Sequence, residues 1–454
     1  MTAAGRVFRY DRFRTDADRG LLTCHYSLDG REFAERVALA PGPRWHTEAA
    51  RAAARLVFLA AGVSYYKTAA PPVIDLGEVA LTDAEHAFLR DFYVHGLGEF
   101  AYRNDLDLAS LRVEARRAGA PAPGQPPPAA GHAGRAGQAM HAGHAGHRAL
   151  VPFGGGIDSI VTVERVRRRA DAALFVVSRP ADRFDAIEAP AAVTGLPVLR
   201  AEREIDPQLL RSAELGFRNG HVPVTGILSA IAVLAAVLAG RDAVVMSNEW
   251  SASAPTLTHA GRPVNHQYSK SAAFEAAFRD VLAAQPARMP EYFSLLRDRT
   301  ELWVGQQFAA LERYHDSFRS CNKAFYADRA RRLGHWCGGC DKCCFVDLIL
   351  APFLPAAALR RIFAATAEPL GEPGLAAKFR ALLGAGAKPF ECVGEASECR
   401  AAALLAARRP DRAGCRPLAD LAAEVAGWPD APSEAEVAAM LRPVGASFVP
   451  PGYR

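Results

Sequence analysis

The chain has 454 residues, half of them hydrophobic, and a formal net charge of only +5. Its length allows two or three domains with buried cores, and its basic residues are scattered rather than grouped in runs, which argues against nucleic acid as a partner. The first residues contain no continuous apolar segment of the kind found in signal peptides, so we expect a cytoplasmic protein.

Residues 1–118 are predicted to form an N-terminal α+β domain. Polar and apolar side chains alternate over the first 45 residues, which predicts a small antiparallel sheet, and helical periodicity follows from His46 and again over residues 83–98. Two groups in this domain combine aromatic rings with a positive charge and could bind a ligand by stacking and charge; they are Tyr65-Tyr66-Lys67 and Tyr102-Arg103-Asn104. Aromatic core packing is the alternative for the tyrosines.

Residues 119–147 consist almost entirely of Ala, Gly, Pro and His. This composition offers little that could pack, and it predicts a disordered linker. Histidine-rich segments can bind metal ions, but a flexible segment presents no fixed geometry, so we assign no site to its histidines.

Residues 148–353 are predicted to form an α/β domain. Strand-like apolar runs alternate there with helical segments, which is typical of a parallel sheet covered by helices. One apolar run, residues 222–240, is about as long as a membrane span, but Pro223 and Gly226 interrupt it, so we expect a buried helix. Beyond Phe353, Ala-rich segments broken by Pro and Gly predict a helical C-terminal region, residues 354–454, whose function the composition does not indicate.

The segment from Phe153 to Ser159 reads Phe-Gly-Gly-Gly-Ile-Asp-Ser and joins a predicted strand to a predicted helix. Successive glycines leave backbone N–H groups free and a helix N-terminus attracts anions, so the loop is a candidate cradle for the phosphates of ATP. It lacks the Gly-Lys-Ser/Thr ending of a Walker A loop and the third glycine of Gly-x-Gly-x-x-Gly. A plain glycine turn between a strand and a helix is the alternative.

Two further loops of this domain are rich in polar residues. Because ligands of parallel sheets gather beyond the carboxyl ends of the strands, residues 247–253 could contact ATP, Mg²⁺ or substrate, unless they only cap a turn. Residues 265–271 carry titratable side chains suited to proton transfer or charge stabilisation, although a polar surface loop would look similar.

Only six of the 54 basic residues are lysines, which makes a lysine in such a loop informative. The candidate catalytic residues are Lys270, as first choice, His266 and Tyr268. The candidate cofactor-binding residues are Gly154, Gly155, Gly156, Asp158, Ser159, Asn248, Glu249, Ser251 and Lys323.

Five of the nine cysteines lie between residues 321 and 344. Two successive C-x-x-C steps, with a further cysteine upstream, suit four thiolates around Zn²⁺, and the predicted ligands are Cys321, Cys337, Cys340 and Cys343. An iron–sulfur cluster is the alternative, whereas disulfides are disfavoured without an export signal. We expect Cys344 to be packed or to compete as a ligand, and the cysteines at 24, 392, 399 and 415 to be buried free thiols.

The glycine loop resembles the Ser-Gly-Gly-x-Asp-Ser signature of the PP-loop ATP pyrophosphatases, with Gly154 in the place of the first serine. Ser320-Cys321-Asn322 and residues 336–343 are similar to the zinc segment of 7-cyano-7-deazaguanine synthase. A resemblance over nearly the whole chain except the linker points to the ATP-dependent UDP-N-acetylmuramoyl-L-alanyl-L-glutamate epimerases. It is carried by residues 151–159, 247–253, 264–271 and 337–353.

This resemblance implies a PP-loop fold of the adenine nucleotide α-hydrolase type for residues 148–353, with ATP, Mg²⁺ and structural Zn²⁺ as cofactors. It implies inversion of a terminal L-Glu to D-Glu through an acyl-adenylate, with release of AMP and diphosphate, in peptidoglycan precursor synthesis. With a UDP-linked substrate, the two aromatic groups of the N-terminal domain become candidates to hold the uridine, the sugar or the diphosphate. Because the loop lacks the family's first serine hydroxyl, we expect Lys270 and Lys323 to meet the charge of the pyrophosphate.

Three alternatives remain open. They are a carboxylate-activating ligase of the 7-cyano-7-deazaguanine synthase type, a tRNA-modifying PP-loop enzyme and a non-catalytic nucleotide sensor. The expected partner is a small-molecule substrate, without nucleic acid or membrane.

Overall fold

The computed structural model describes residues 6–117, 146–259 and 261–454. Within these ranges, ten strands form one sheet and two more form a small hairpin. The strands are β1 (Val7–Asp16), β2 (Leu21–Leu28), β3 (Arg31–Ala38), β4 (Val73–Leu81), β5 (Arg112–Arg117), β6 (Arg148–Pro152), β7 (Asp171–Ser178), β8 (Val198–Glu204), β9 (Ala243–Met246), β10 (Leu257–His259), β11 (Arg262–Val264) and β12 (Glu291–Ser294). Most of the predicted linker, residues 119–145, lies outside the described ranges.

The large sheet is mixed, with parallel pairs at both ends and antiparallel pairs in the middle. Its strand order is β12-β9-β6-β7-β8-β3-β2-β1-β4-β5. The first five of these strands are parallel, as the sequence predicts, and β1 to β3 form the predicted antiparallel arrangement. We expected the two sets in separate domains, but β3 pairs antiparallel with β8 and joins them into one sheet.

Buried charge strengthens the junction between β3 and β8. Arg203 donates to both oxygens of Glu35, at 2.8 and 3.0 Å, and Glu35 is fully buried. The Tyr65 hydroxyl donates to the same carboxylate at 3.0 Å. Bidentate pairs of this kind are among the stronger polar contacts in proteins. Because Glu35 and Arg203 are 168 positions apart, periodicity within either strand gives no sign of the contact.

Helices cover both faces of the sheet. In the described ranges the α-helices are α1 (Glu48–Ala61), α2 (Val63–Tyr66), α3 (Asp83–Val94), α4 (Gly98–Arg103), α5 (Ile157–Val166), α6 (Asp185–Thr194), α7 (Pro207–Leu210), α8 (Val224–Ala239), α9 (Ala272–Ala283), α10 (Glu301–Ala309), α11 (Asp341–Leu350), α12 (Ala356–Ile362), α13 (Ala376–Leu383), α14 (Ala396–Ala407), α15 (Arg416–Ala426) and α16 (Glu434–Met440). Residues 354–454, all of which are described, contain helices and no strand, as predicted.

Two hydrophobic cores result, one on each face of the sheet. α1, α3, α8 and α9 contribute to one core, and α5, α10, α11 and α14 contribute to the other. α8 is the apolar run that the sequence predicts as a buried helix, and it packs along α1. No helix in the described ranges combines the length and apolarity needed to cross a membrane.

Candidate active site

A cavity of about 370 Å³ lies where β6 and β9 end and α5 begins. Loops that are far apart in the chain meet here, as expected at the carboxyl ends of parallel strands. The predicted residues that line it are Gly154, Gly156, Asp158, Ser159, Asn248, Glu249 and Lys270. Three further ionisable residues line it that the sequence did not indicate as site residues: Glu301, Lys342 and Cys392.

The glycine loop adopts a conformation that requires glycine. Gly155 has a φ of +76°, and a Cβ on it would overlap the backbone oxygen of Ala186. Gly156 precedes the first turn of α5, and the Ser159 hydroxyl donates to the Gly156 carbonyl at 2.9 Å. The loop therefore brings a helix N-terminus to the cavity wall, where its free N–H groups suit a phosphate.

Three carboxylates meet beside this loop. Oxygen atoms of Asp158, Glu249 and Glu301 lie within 4.8 Å of one another. Asp158 Oδ1 and Glu301 Oε2 are buried and have no hydrogen-bond partner among the described residues. Burial and the neighbouring Glu249 raise the pKa of Asp158 to about 6, and burial with the other two carboxylates raises the pKa of Glu301 as well. Clustered oxygen donors with unmet lone pairs fit a hard divalent cation such as Mg²⁺.

Glu301 was missed because its sequence context has an ordinary explanation. It follows Thr300, whose hydroxyl accepts a hydrogen bond from Trp303 N at the start of α10. An acidic residue in the first turn of a helix is common for electrostatic reasons alone. Only the packing of α10 against α5 brings Glu301 to Asp158.

Two lysines supply positive charge to the cavity. The Lys270 ammonium donates to Gln267 Oε1 at 3.3 Å and to Cys392 Sγ at 3.2 Å. Burial would lower the pKa of Lys270, but Cys392 and the nearby carboxylates outweigh it and raise that pKa above its usual value. Lys270 is therefore a cation at neutral pH rather than a base. Lys342 also lines the cavity and donates to the Cys392 carbonyl oxygen.

Lys323 does not line this cavity. Its side chain is exposed, and the residue lies in a short 3-10 helix, Asn322–Phe325. This position does not support the expectation that Lys323 meets the charge of the pyrophosphate. Lys342 lines the cavity, where we expected Lys323. Lys342, in the first turn of α11, lines the same cavity as the glycine loop.

His266 lies behind Cys392 in a chain of polar contacts. Its Nδ1 is 2.5 Å from Glu99 Oε2, and its ring centroid is 4.3 Å from that of His221. Burial opposes the charged form, but hydrogen bonds with Cys392 and Glu99 raise the pKa of His266 to about 9. Burial and the charge on His266 lower the pKa of His221 to about 4. His266 is thus protonated and His221 neutral near pH 7.

Tyr268 and Ser251 lie outside the cavity lining. The Tyr268 ring packs against His95 and Phe274, and burial raises the pKa of its hydroxyl. Ser251 is buried in the 3-10 helix Trp250–Ser253, behind the loop that carries Glu249. Neither position gives support to the predicted catalytic or cofactor-binding role, which stays a prediction for both residues.

The tyrosines expected to hold a uridine divide into two groups. Tyr65 and Tyr66 are fully buried, which agrees with the alternative of core packing. Tyr102 is 39% exposed, and its ring lies beside those of His259 and Phe390.

The two cations predicted near these tyrosines are already engaged. Lys67 donates to Asn219 Oδ1 at 2.7 Å, and burial lowers its pKa to about 8. Arg103 pairs with Glu99 at 2.6 Å and lies over the Phe390 ring. The surface around Tyr102, rather than the one around Lys67, adjoins the loop that carries Cys392.

Cys392 is a site residue that the sequence did not indicate. We expected a buried free thiol, yet it is half-buried, lines the cavity and contacts Lys270. Burial would raise the pKa of Cys392, but the Lys270 charge and a hydrogen bond with His266 bring it down to about 6. No spacing motif marks Cys392, because the partners of its sulfur, Lys270 and His266, lie more than a hundred positions away in the chain.

The four predicted metal ligands converge on one point outside the cavity lining. The sulfurs of Cys321, Cys337, Cys340 and Cys343 lie within 4.8 Å of one another. Cys343 Sγ is 3.7 Å from Cys337 Sγ and 3.4 Å from Cys340 Sγ. Four sulfurs bonded to Zn²⁺ at about 2.3 Å are about 3.8 Å apart in a tetrahedron, so the arrangement fits this ion. Cys344 is outside the group and fully buried, where burial raises its pKa to about 12.

Comparisons with known proteins agree with this architecture. Two family models match the chain: the MurL N-terminal domain over residues 1–295 and the MurL C-terminal domain over residues 317–436. The UDP-N-acetyl-alpha-D-muramoyl-L-alanyl-L-glutamate epimerase of Xanthomonas oryzae pv. oryzae is 41% identical over 413 residues, which cover 88% of this chain and 86% of that protein. The proteins of the same name from Salinispora tropica and a Micromonospora species are 37% and 38% identical; each alignment covers 98% of this chain, and 94% and 96% of the relatives. No solved structure matches the chain. The chain therefore belongs to the MurL family.

Proposed function

We propose that this chain inverts the terminal L-Glu of UDP-N-acetylmuramoyl-L-Ala-L-Glu to D-Glu after activating its carboxylate with ATP. The epimerase activity follows from membership in the MurL family, and the substrate is the one in the name its relatives share. The role of ATP rests on one observation, which carries the proposal: a glycine loop at a helix N-terminus, a carboxylate cluster and two lysines face one cavity. The ligase, tRNA-modifying and sensor alternatives would share these nucleotide-binding features, and the name that the relatives share favours the epimerase over them.

Activation is needed because a free carboxylate makes its α-proton a poor acid. Removal of that proton would place a second negative charge next to the first. Adenylation neutralises the carboxylate and turns its carbonyl into an electron sink, so that an ordinary side chain can act as the base. Removing the proton from one face and returning a proton to the other inverts the centre.

The residues of the cavity suit the activation step. Backbone N–H groups at Gly156 and in the first turn of α5 would bind phosphate oxygens. Asp158, Glu249 and Glu301 would hold Mg²⁺, which neutralises phosphate charge when bound. The Lys270 and Lys342 ammonium groups would stabilise charge on the leaving pyrophosphate or on the developing enolate oxygen.

We assign the four-cysteine group a structural zinc ion. It is separate from the cavity lining, and it ties the segment after Phe318 to the first turn of α11. This position also holds Lys342 in place, since Lys342 precedes the ligand Cys343 in the chain. An iron–sulfur cluster remains the second candidate for the same thiolates.

The activation step is tested by incubating the full-length protein with ATP, Mg²⁺ and UDP-N-acetylmuramoyl-L-Ala-L-Glu in deuterated water. We expect AMP and pyrophosphate, deuterium at the glutamate α-carbon and a D-configured product. An ATP analogue with a methylene group between the α- and β-phosphorus atoms should support neither exchange nor inversion. Inversion at full rate without ATP would overturn the adenylation route.

Glu301→Gln tests the carboxylate cluster in the same assay. We expect AMP formation to require far more Mg²⁺, because one of three oxygen donors is neutralised. Glu312→Gln is the matched control, since Glu312 is exposed and lies just beyond α10. An unchanged Mg²⁺ requirement in Glu301→Gln would contradict the assignment of Mg²⁺ to this cluster.

A further inference from the structure

The Cys392 side chain occupies a defined position in the cavity wall. Its sulfur is 3.2 Å from the Lys270 ammonium, and its carbonyl oxygen accepts a hydrogen bond from Lys342. The loop that carries it, between α13 and α14, therefore approaches the glycine loop from the side of the two lysines. The thiol faces the same space as Gly154 and Asp158, where an adenylated carboxylate would lie.

The groups around the sulfur favour its ionised form. Lys270 is a cation on one side, and His266 is a cation on the other, where Glu99 holds it. His221 stays neutral. Glu391, the neighbour in sequence, turns away and accepts a hydrogen bond from Asn322 at 2.7 Å. The balance of nearby charge is positive, as at other activated cysteines.

The other cysteines of the described chain lack this environment. The four metal-binding thiols are engaged with one another. Cys344 and Cys399 are fully buried, and burial raises the pKa of both thiols. Cys415 is half-buried in the helical region, where its thiol donates to the Leu370 carbonyl. Cys392 alone among the described cysteines lines the cavity.

We propose that the Cys392 thiolate is a base that removes the α-proton of the activated glutamyl residue. The proposal rests on the ATP-dependent route above. The Cα–H bond breaks, its electron pair moves into the enolate of the activated carbonyl, and the proton forms an S–H bond with Cys392. A proton derived from water adds to the opposite face of the enolate and completes the inversion. The Cys392 thiol returns its proton to water, and hydrolysis of the acyl-adenylate releases AMP and the D-configured product. Lys270, already protonated, does not compete for the α-proton and stabilises the enolate oxygen instead.

Substitution of Cys392 should separate activation from proton transfer. In the full-length protein, Cys392→Ala and Cys392→Ser should still convert ATP to AMP in the presence of the UDP-dipeptide. Exchange of the α-proton with deuterated water should fall by about 10²–10⁴-fold, the usual effect of removing a general base. The control is Cys415→Ser, which keeps a hydroxyl donor for Leu370 and should leave both rates unchanged.

Alkylation of the unmodified enzyme provides a measurement that needs no variant. Iodoacetamide at pH 7 should modify Cys392 before Cys415, as read by peptide mass spectrometry, and α-proton exchange should disappear while AMP formation persists. Exchange at the wild-type rate in Cys392→Ala would overturn the proposal. A parallel loss of AMP formation and exchange would also overturn it, because the thiol would then serve activation or folding. If the wild-type enzyme exchanges the proton without forming AMP, the adenylation route fails first and this inference fails with it.

Discussion

The Arg297 guanidinium and the Glu275 carboxylate form a buried ion pair, with Arg297 Nε 2.8 Å from Glu275 Oε2. The two side chains are 2% and 1% exposed. The remaining guanidinium nitrogens donate to the Glu249 carbonyl at 2.9 Å and to the Lys270 carbonyl at 2.6 Å. One side chain thus fixes the backbone at two residues of the cavity lining, Glu249 of the carboxylate cluster and the candidate catalytic residue Lys270.

Arg297→Met should destabilise the protein strongly. It leaves the Glu275 charge buried without its partner, and breaking a buried pair in this way costs about 3–5 kcal/mol. Urea unfolding followed by circular dichroism would measure the change. Arg361→Met is the control, because Arg361 and Asp316 pair at the surface, where such a pair contributes about 0–1 kcal/mol. Equal unfolding midpoints for the two variants would contradict the prediction that the buried Arg297–Glu275 pair stabilises the fold more than the surface pair does.

The four-cysteine group should hold one zinc ion per chain. Cys337→Ser should release the metal and lower the thermal unfolding midpoint, since binding energy at a structural zinc site is folding energy. Plasma mass spectrometry of the purified protein gives the metal content. Cys344→Ala is the control, because Cys344 adjoins the ligands in sequence but lies outside the group. If the protein instead contains iron, a matching amount of sulfide and the absorbance of a cluster, the four cysteines hold an iron–sulfur cluster and not zinc.

Lys342 and Lys323 are a matched pair of lysines for testing which side chain balances the charge of the pyrophosphate. Lys342→Met should lower kcat/KM for ATP by about 10–100-fold, the effect of losing a hydrogen bond to a charged group. Lys323→Met should leave it unchanged, because Lys323 is exposed and does not line the cavity. Pyrophosphate release measures both. Because Lys342 is next to the metal ligand Cys343, this interpretation requires that Lys342→Met has the metal content of the wild-type protein. A larger effect from Lys323→Met would instead support the expectation that Lys323 meets the charge of the pyrophosphate.

The part of the site that the sequence predicts is local in the chain. Residues 154–159 and the C-x-x-C steps carry their geometry in their spacing, because glycine conformations and thiolate turns are set by near neighbours. Lys270 is favoured in the sequence by the rarity of lysine in this chain and by the resemblance that residues 264–271 carry. For the glycine loop and the C-x-x-C steps, a few adjacent residues contain the information.

The remainder of the site depends on contacts between distant segments. Cys392 is 122 positions from Lys270, and Glu301 is far from Asp158 in the chain, so neither pairing leaves a local pattern. The same reason explains the junction of β3 with β8, which joins two sets of strands that we expected in separate domains. Periodicity identifies a strand, but it does not identify the strand that lies next to it.

The rate of α-proton exchange should rise with pH and then reach a plateau. The Cys392 thiolate forms as the pH rises through about 6, and the thiol stays ionised when His266 loses its proton as the pH rises through about 9. The kcat/KM for α-proton exchange should therefore follow the ionisation of the thiol, without a decline on the alkaline side. Because the two groups are hydrogen-bonded, the midpoint of the rise describes the pair rather than Cys392 alone.

Glu99→Gln should move this rise to higher pH. It removes the carboxylate that favours protonated His266, so the positive charge that lowers the pKa of Cys392 is weakened. Glu214→Gln, at an exposed site paired with Arg211, is the control and should leave the midpoint of the rise in place. A midpoint that does not change in Glu99→Gln would be inconsistent with a thiolate supported by an imidazolium.

Gly155 and Gly154 should respond in opposite ways to a side chain. Gly155→Ala places a Cβ against the backbone oxygen of Ala186 at a φ of +76°, so the loop must move and ATP binding should be lost. At Gly154 a Cβ meets nothing within 4 Å, so Gly154→Ser should fold normally. That serine restores the hydroxyl of the PP-loop signature, and we expect tighter ATP binding by isothermal titration calorimetry. Unchanged ATP affinity in Gly155→Ala would mean that this loop does not hold the phosphates.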